Sequence, residues 1–315
     1  MMTLPELLSK TFTDCNRAGK TLGTAILIVG GISVVLSVLF LHVVFRSGAA
    51  EIGKILGPEE QANFEQYAWT ATTNFGMQRM MDDLGTKMEA KFDGMTDEEQ
   101  RAVVIPVLLS FASRVVPLAC VFALLSILIS LWQSVFFLLV AARGKGTFGG
   151  LSKEAFGWML PMLGLNIIVG LLFIAIPVIA VFLGFLLPNI LFIMLLVLVA
   201  IALFVYFGTR FALSSAILIQ DRTGVVESIR RSFVLTSRGK FLKVFGNLLG
   251  AGALIGVIII VFQIILTILS MIAEPFPPAP FVINQVLVFV ALVGQAFIAV
   301  FTVRLKEAVA IKKRA

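Results

Sequence analysis

Ala155–Thr209 reads AFGWMLPMLGLNIIVGLLFIAIPVIAVFLGFLLPNILFIMLLVLVAIALFVYFGT, 55 residues without a charged side chain between Glu154 and Arg210. As one helix this stretch would be about 80 Å long at 1.5 Å per residue. A bilayer's hydrocarbon core is only about 30 Å thick. The chain must therefore cross, turn and cross back, and Gly184 with Pro188-Asn189 marks the expected turn.

The rest of the chain has the same character. Hydrophobic residues make up 59% of the 315 and charged residues 14%, where soluble domains carry about a quarter charged residues. Mean hydropathy is +1.03. Six spans are expected, at about Thr21–Phe45, Val115–Ala142, Leu160–Leu183, Asn189–Thr209, Val244–Ile272 and Phe281–Val303. Each is long enough to cross and several are long enough to tilt. The expected fold class is all-α, a polytopic membrane bundle of six helices with short interfacial helices, forming a single domain over residues 1–315. The first span is too long for the apolar core of a signal peptide and is expected to stay uncleaved.

The charges divide by side. The N-terminal tail, the second and fourth loops and the C-terminal tail hold 18 of the 25 basic residues and six of the 18 acidic ones, a net +12. The other side holds seven basic and twelve acidic residues, a net −5. The positive-inside rule then puts both termini on the basic, cytoplasmic side. It also explains the overall +7 without nucleic acid, which is not an expected partner. Cys15 and Cys120 fall on opposite sides of that arrangement, too far apart for a disulfide.

Three segments lie outside the spans. Leu4, Leu7, Leu8, Phe12 and Cys15 recur at helical spacing within residues 1–20, as in an amphipathic helix on the cytoplasmic interface. Residues 46–105 form an acidic extracytoplasmic insertion. Gly57-Pro58 starts one helix there. The capping box Thr96-Asp97-Glu98-Glu99 starts another, which runs on into the second span with kinks near Pro106 and Pro117. Tyr67, Trp69, Phe75, Met77, Met80, Met81, Leu84 and Met88 supply an apolar face for two helices packed on the outer surface. Glu274–Pro280 is a proline-rich turn.

Reactive chemistry is sparse. The six apolar cores hold no Asp, Glu, Lys or Arg, the usual marks of a proton relay, ion path or substrate site. His42 is the only histidine and reads as an interfacial side chain. No cofactor or metal is expected. Gly144, Gly146 and Gly149 spell GxGxxG, but a membrane helix precedes them instead of the strand a dinucleotide site needs. They read as a flexible cytoplasmic turn. The amides Gln133, Asn166, Asn247, Gln263, Asn284, Gln285 and Gln295 either tie helices together or line a path for a polar solute. In the fifth span Gly246, Gly250, Gly252 and Gly256 form interleaved GxxxG pairs. These suit close packing against another helix of this chain, or self-association.

The densest polar patch is the fourth loop, residues 210–243. Arg222-Thr223-Gly224 breaks the chain. Val225, Val226, Ile229 and Phe233 then make an apolar stripe. Arg222, Arg230, Arg231, Arg238, Lys240 and Lys243 supply the charge that would contact anionic phospholipid headgroups at about 1 kcal/mol per basic residue.

This loop also resembles a known group. Asp221 and Gly224, then Arg231-Ser232-Phe233, Leu235-Thr236 and Gly239 are similar to the signature of bacterial six-span proteins. That group is related to the membrane domain of glycerophosphoryl diester phosphodiesterases and to similar inner-membrane families. The resemblance covers most of the chain, the acidic insertion being less typical. It implies a helical bacterial membrane protein and carries over no catalytic residue, because the group's catalytic barrel is absent from these 315 residues.

The leading expectation is a non-enzymatic membrane accessory or scaffold, with anionic lipid and a membrane protein as its partners. A transporter of an amphiphile or small solute, without an ion-coupling site, is the alternative. A lipid-acting enzyme using Asp82, Asp83 or Asp221 is the third reading.

Overall fold

The computed structural model describes residues 2–70, 74–144, 146–186, 189–237, 239–273 and 278–310, except for the side chains of 66–70, 74–77, 278 and 280. Its elements are α1 (Leu4–Arg17), α2 (Gly19–Leu56), α3 (Pro58–Thr70), α4 (Asn74–Phe92), α5 (Asp97–Arg143), α6 (Phe148–Leu186), α7 (Ile190–Phe211), α8 (Ser214–Gln220), α9 (Val225–Leu235), α10 (Phe241–Ile272) and α11 (Pro278–Ala310). No strand occurs among the described residues. Six segments are long and apolar enough to cross a membrane: α2, α5, α6, α7 continued through α8, α10, and α11 from Phe281. The chain is an all-α, polytopic membrane-type fold.

Helix ends follow local chemistry. At α1, Thr3 and Glu6 form a capping box, with the Thr3 N–H donating to Glu6 at 2.8 Å. At α5 the Thr96 N–H donates to Glu99 at 2.8 Å and the Glu99 N–H donates back to the Thr96 hydroxyl at 3.4 Å. Each box satisfies backbone donors that a helix start leaves open. From its box α5 runs as one helix through Pro106 and Pro117 to Arg143. Gly184, expected at the turn, lies inside α6, and Asn189 caps α7 by accepting from the Leu191 N–H at 2.9 Å. Pro188 lies outside the described residues, as do Glu274–Pro277.

The chain divides into two compact units. The first comprises residues 1–26, 130–257 and 293–315. Its main core is the last part of α5. There Val135, Phe136, Phe137, Leu138, Leu139, Val140 and Ala141 are all buried in succession, so the helix is enclosed on every side. A second core gathers Leu7 of α1, Ile217 of α8, Val244 of α10 and Phe301 and Leu305 of α11. The short helix α8 is itself core: Ser214 and Ala216–Ile219 are buried. In the sequence it falls within the basic fourth loop, residues 210–243, before the break at Arg222-Thr223-Gly224.

The second unit comprises residues 27–129 and 258–292. Here α2 does not stop at Phe45 but continues to Leu56. The two helices after it, α3 and α4, pack against that extension. Phe45 and Ala49 of α2 pack with Phe64 of α3 and Met80 of α4. Glu51 of α2 is buried; it accepts from Lys54 at 2.6 Å and from the Ser110 hydroxyl of α5 at 2.8 Å. Lys87 of α4 reaches Glu60 of α3 at 2.6 Å and Asp83 at 3.0 Å.

Outside these cores the apolar helices expose most of their side chains. The most apolar window of α7 contains no buried residue. Such a surface is stable only in hydrocarbon, where each backbone group is satisfied inside its helix.

Candidate functional site

The site is built on the segments that carry the basic excess, all in the first unit. Arg210 opens it. Its guanidinium sits 5.1 Å from the Tyr206 ring centroid, 5.7 Å from that of Phe241 and 5.8 Å from that of Phe233. It donates to the Phe233 carbonyl at 3.0 Å and to the Thr236 hydroxyl at 3.4 Å. An arginine caged by three rings joins helices, each ring adding about 0.5–2 kcal/mol.

The helix α9 docks through its small polar residues. Ser228 and Ser232 are buried, and the Ser232 hydroxyl donates to the Arg210 carbonyl. Small side chains let the helix approach closely. This corrects the expected apolar stripe: Val225 and Ile229 pack on the core, Phe233 joins the Arg210 cage, but Val226 is exposed. Upstream, Arg222 takes the left-handed backbone with φ 53° and makes the break before Gly224.

A connected chain of charges then links four elements. Asp14 of α1 accepts from Arg304 of α11, which also donates to Glu307 at 2.6 Å. Glu307 accepts from Gln220, at the end of α8, at 3.0 Å. The buried Lys306 donates to Gln220 at 3.0 Å and pairs with Asp221. Arg231 of α9 lies 3.9 Å from Asp221 and donates to Glu227 at 2.7 Å. That bond, with the nearby Arg230, holds the Glu227 carboxyl below the usual carboxylate range. A network whose every member is paired fixes geometry. It places no unpaired carboxylate beside a nucleophile.

The cations expected to meet lipid therefore differ among themselves. Arg222 pairs with Glu154 at 3.3 Å, and Arg143 pairs with the same carboxylate. Arg231 is in the network above, and Lys240 donates to the Val309 carbonyl at 2.8 Å. Arg230 is 80% exposed with only a 4.0 Å approach to Glu227. Lys243 is exposed and makes no ion pair among the described residues. Arg238 lies outside the described residues. Of the four packing glycines, Gly250 meets another helix, at Leu4 of α1, while Gly246, Gly252 and Gly256 face open space. Gln133 donates to Gln295 and ties α5 to α11. Asn247 is buried.

Sequence reasoning missed a cavity of about 430 Å³ at the start of α2. Asn16, Arg17, Lys20 and Thr21 line one side, and Val140, Gly144, Gly146 and Leu151 the other. Arg17 and Lys20 are exposed and make no ion pair among the described residues. No acidic residue is among its described lining residues. Gly144 takes a positive φ of 66°, a conformation glycine adopts without steric cost. The only legible signal was the coincidence of a glycine-rich turn and an N-terminal pair of cations on the same side. Among the described residues no three His, Cys, Asp or Glu side chains gather as metal ligands would. Partial burial, with Asp14 beside it, pushes the half-buried Cys15 thiol up to about 11.

No family model, no curated protein and no solved structure matches this chain.

Proposed function

We propose that this chain is a non-enzymatic accessory or scaffold protein of a bacterial cytoplasmic membrane, with both termini in the cytoplasm, that holds anionic phospholipid at its basic end. The Arg17–Lys20 cavity carries this reading: two cations with no ion pair among the described residues, an amide and a hydroxyl beside a glycine turn, with no acidic side chain among the described lining residues. A phosphate is the complementary ligand for that set. Arg230 and Lys243 are further exposed cations of the basic side. The charge asymmetry of the loops supports the orientation, and the resemblance of residues 221–239 to bacterial inner-membrane families supports the location. The fully paired network around Lys306 and Asp221 supports a structural role for those charges. The Gln133–Gln295 bond likewise supports amides that tie helices together over amides that line a path. The open glycines of α10 leave a face for a membrane protein partner.

Native mass spectrometry of the protein released from phosphatidylglycerol-containing nanodiscs tests the proposal. Two headgroup-facing cations at about 1 kcal/mol each correspond to roughly a tenfold to thirtyfold effect. R17Q/K20Q is expected to lose bound phosphatidylglycerol by that factor. Retention equal to wild type would overturn the site.

A further inference from the structure

A second cavity, of about 600 Å³, lies in the other unit and has a different chemistry. Val38, Leu39, Leu41 and Phe45 of α2 form its apolar wall. His42 and Arg46 of α2 and Glu65 of α3 supply its polar groups. Val38, His42 and Arg46 follow one another at four-residue spacing, so they share one face of α2.

The order along that face is the order of an amphiphile. The uncharged part of α2 is bracketed by Lys20 and Arg46. Its 25 residues span about 37 Å, slightly more than a hydrocarbon core of about 30 Å. Arg46 therefore stands at the border where lipid headgroups begin. His42 lies one turn and Val38 two turns deeper.

Arg46 and Glu65 line one cavity with opposite charges, yet neither makes an ion pair among the described residues. Elsewhere in the same unit opposite charges do meet, as at Lys87–Glu60 and Lys54–Glu51. A ligand carrying both charges, with an apolar tail, satisfies both residues and the wall together. A purely anionic lipid leaves Glu65 opposed, and a purely cationic one leaves Arg46 opposed.

We propose that this cavity seats one zwitterionic phospholipid of the ethanolamine class. Its phosphate accepts from Arg46 and His42, its primary ammonium donates to Glu65, and an acyl chain lies along Val38, Leu39 and Phe45. A quaternary ammonium has no N–H to donate to Glu65, so a choline headgroup is held less well. The site is separate from the anionic-lipid cavity of the basic end and stands without it.

The test uses the full chain in the R17Q/K20Q background, so that the basic-end cavity does not contribute. Nanodiscs hold equal amounts of phosphatidylethanolamine, phosphatidylcholine and phosphatidylglycerol with matched acyl chains, and retained lipid is read by native mass spectrometry. One phosphatidylethanolamine is expected to be retained in preference to the other two. R46Q is expected to lower it about tenfold, the effect of one charge-assisted hydrogen bond. E65Q is expected to abolish the preference for phosphatidylethanolamine over phosphatidylglycerol. Soluble phosphoethanolamine at the same concentration is expected not to displace the lipid. Both substituted side chains are exposed, and an unchanged melting temperature shows that the fold is kept. Equal retention of the three lipids, an R46Q variant that keeps its phosphatidylethanolamine, or displacement by phosphoethanolamine would overturn the proposal.

Discussion

Arg210 shows how far a single residue can be read. Its place after 55 uncharged residues marks the end of a span, and Tyr206, one turn before it, is visible as a stacking partner. The rings of Phe233 and Phe241 are not visible, because they arrive from two other helices. The sequence therefore marks the cation at the end of a span, and the structure adds the cage around it. R210K keeps the charge but loses the planar stack and the forked donor. It is expected to lower the thermal midpoint in detergent by the equivalent of about 1–3 kcal/mol while leaving anionic-lipid retention unchanged. A scan of wild type and variant measures both. Lys306 makes the same point: its charge is obvious, but its burial against Asp221 and Gln220 depends on where α8 lies.

At the scale of elements, the spans were legible because hydrocarbon demands runs of apolar residues, and helix starts were legible because capping boxes are local. The α5 box at Thr96 and the passage through two prolines follow from residues close in sequence. Two features were not legible. The helix α8 is too short to display a period, and the amphipathic helix expected after Gly224 forms as α9 but buries Ser228 and Ser232 while Val226 is exposed. Membrane helices pack through small residues, so apolar patterning marks the lipid face as readily as the core. Within the second unit, the Lys87–Glu60 bond joins α4 to α3. Lys87 holds the Glu60 carboxyl below its usual range, and Glu60, with Asp83, holds the Lys87 ammonium above its own. A lowered carboxylate contributes stability that is complete above its unfolded value and lost as pH falls through the folded one. A raised ammonium contributes stability that is complete below its unfolded value and lost as pH rises through the folded one. The contribution is thus whole between about pH 5 and pH 10. The difference in melting temperature between wild type and K87M is expected to be constant from pH 6 to about 9 and to shrink below about pH 4. A difference that grew on acidification would contradict this assignment.

For the whole molecule, composition settles that the chain belongs in a membrane, and the six long apolar helices agree. Charge counting adds a direction, and the structure adds a distinction among the charges. Some cations of the basic side are consumed by carboxylates and carbonyls within the fold: Arg222, Arg231, Lys240, Arg304 and Lys306. Others are left open, Arg17 and Lys20 among them. Pairing depends on neighbours distant in sequence, such as Asp14 with Arg304, and for that reason the open cations could not be told from the paired ones by reading the fourth loop alone.

The account rests on open cations, not total charge, holding the anionic lipid. The most direct test compares two variants that each remove two positive charges from the same side. In native mass spectra from phosphatidylglycerol nanodiscs, R17Q/K20Q is predicted to lose the bound lipid and R222Q/R231Q to keep it. Equal losses in both, or loss only in R222Q/R231Q, would contradict the account.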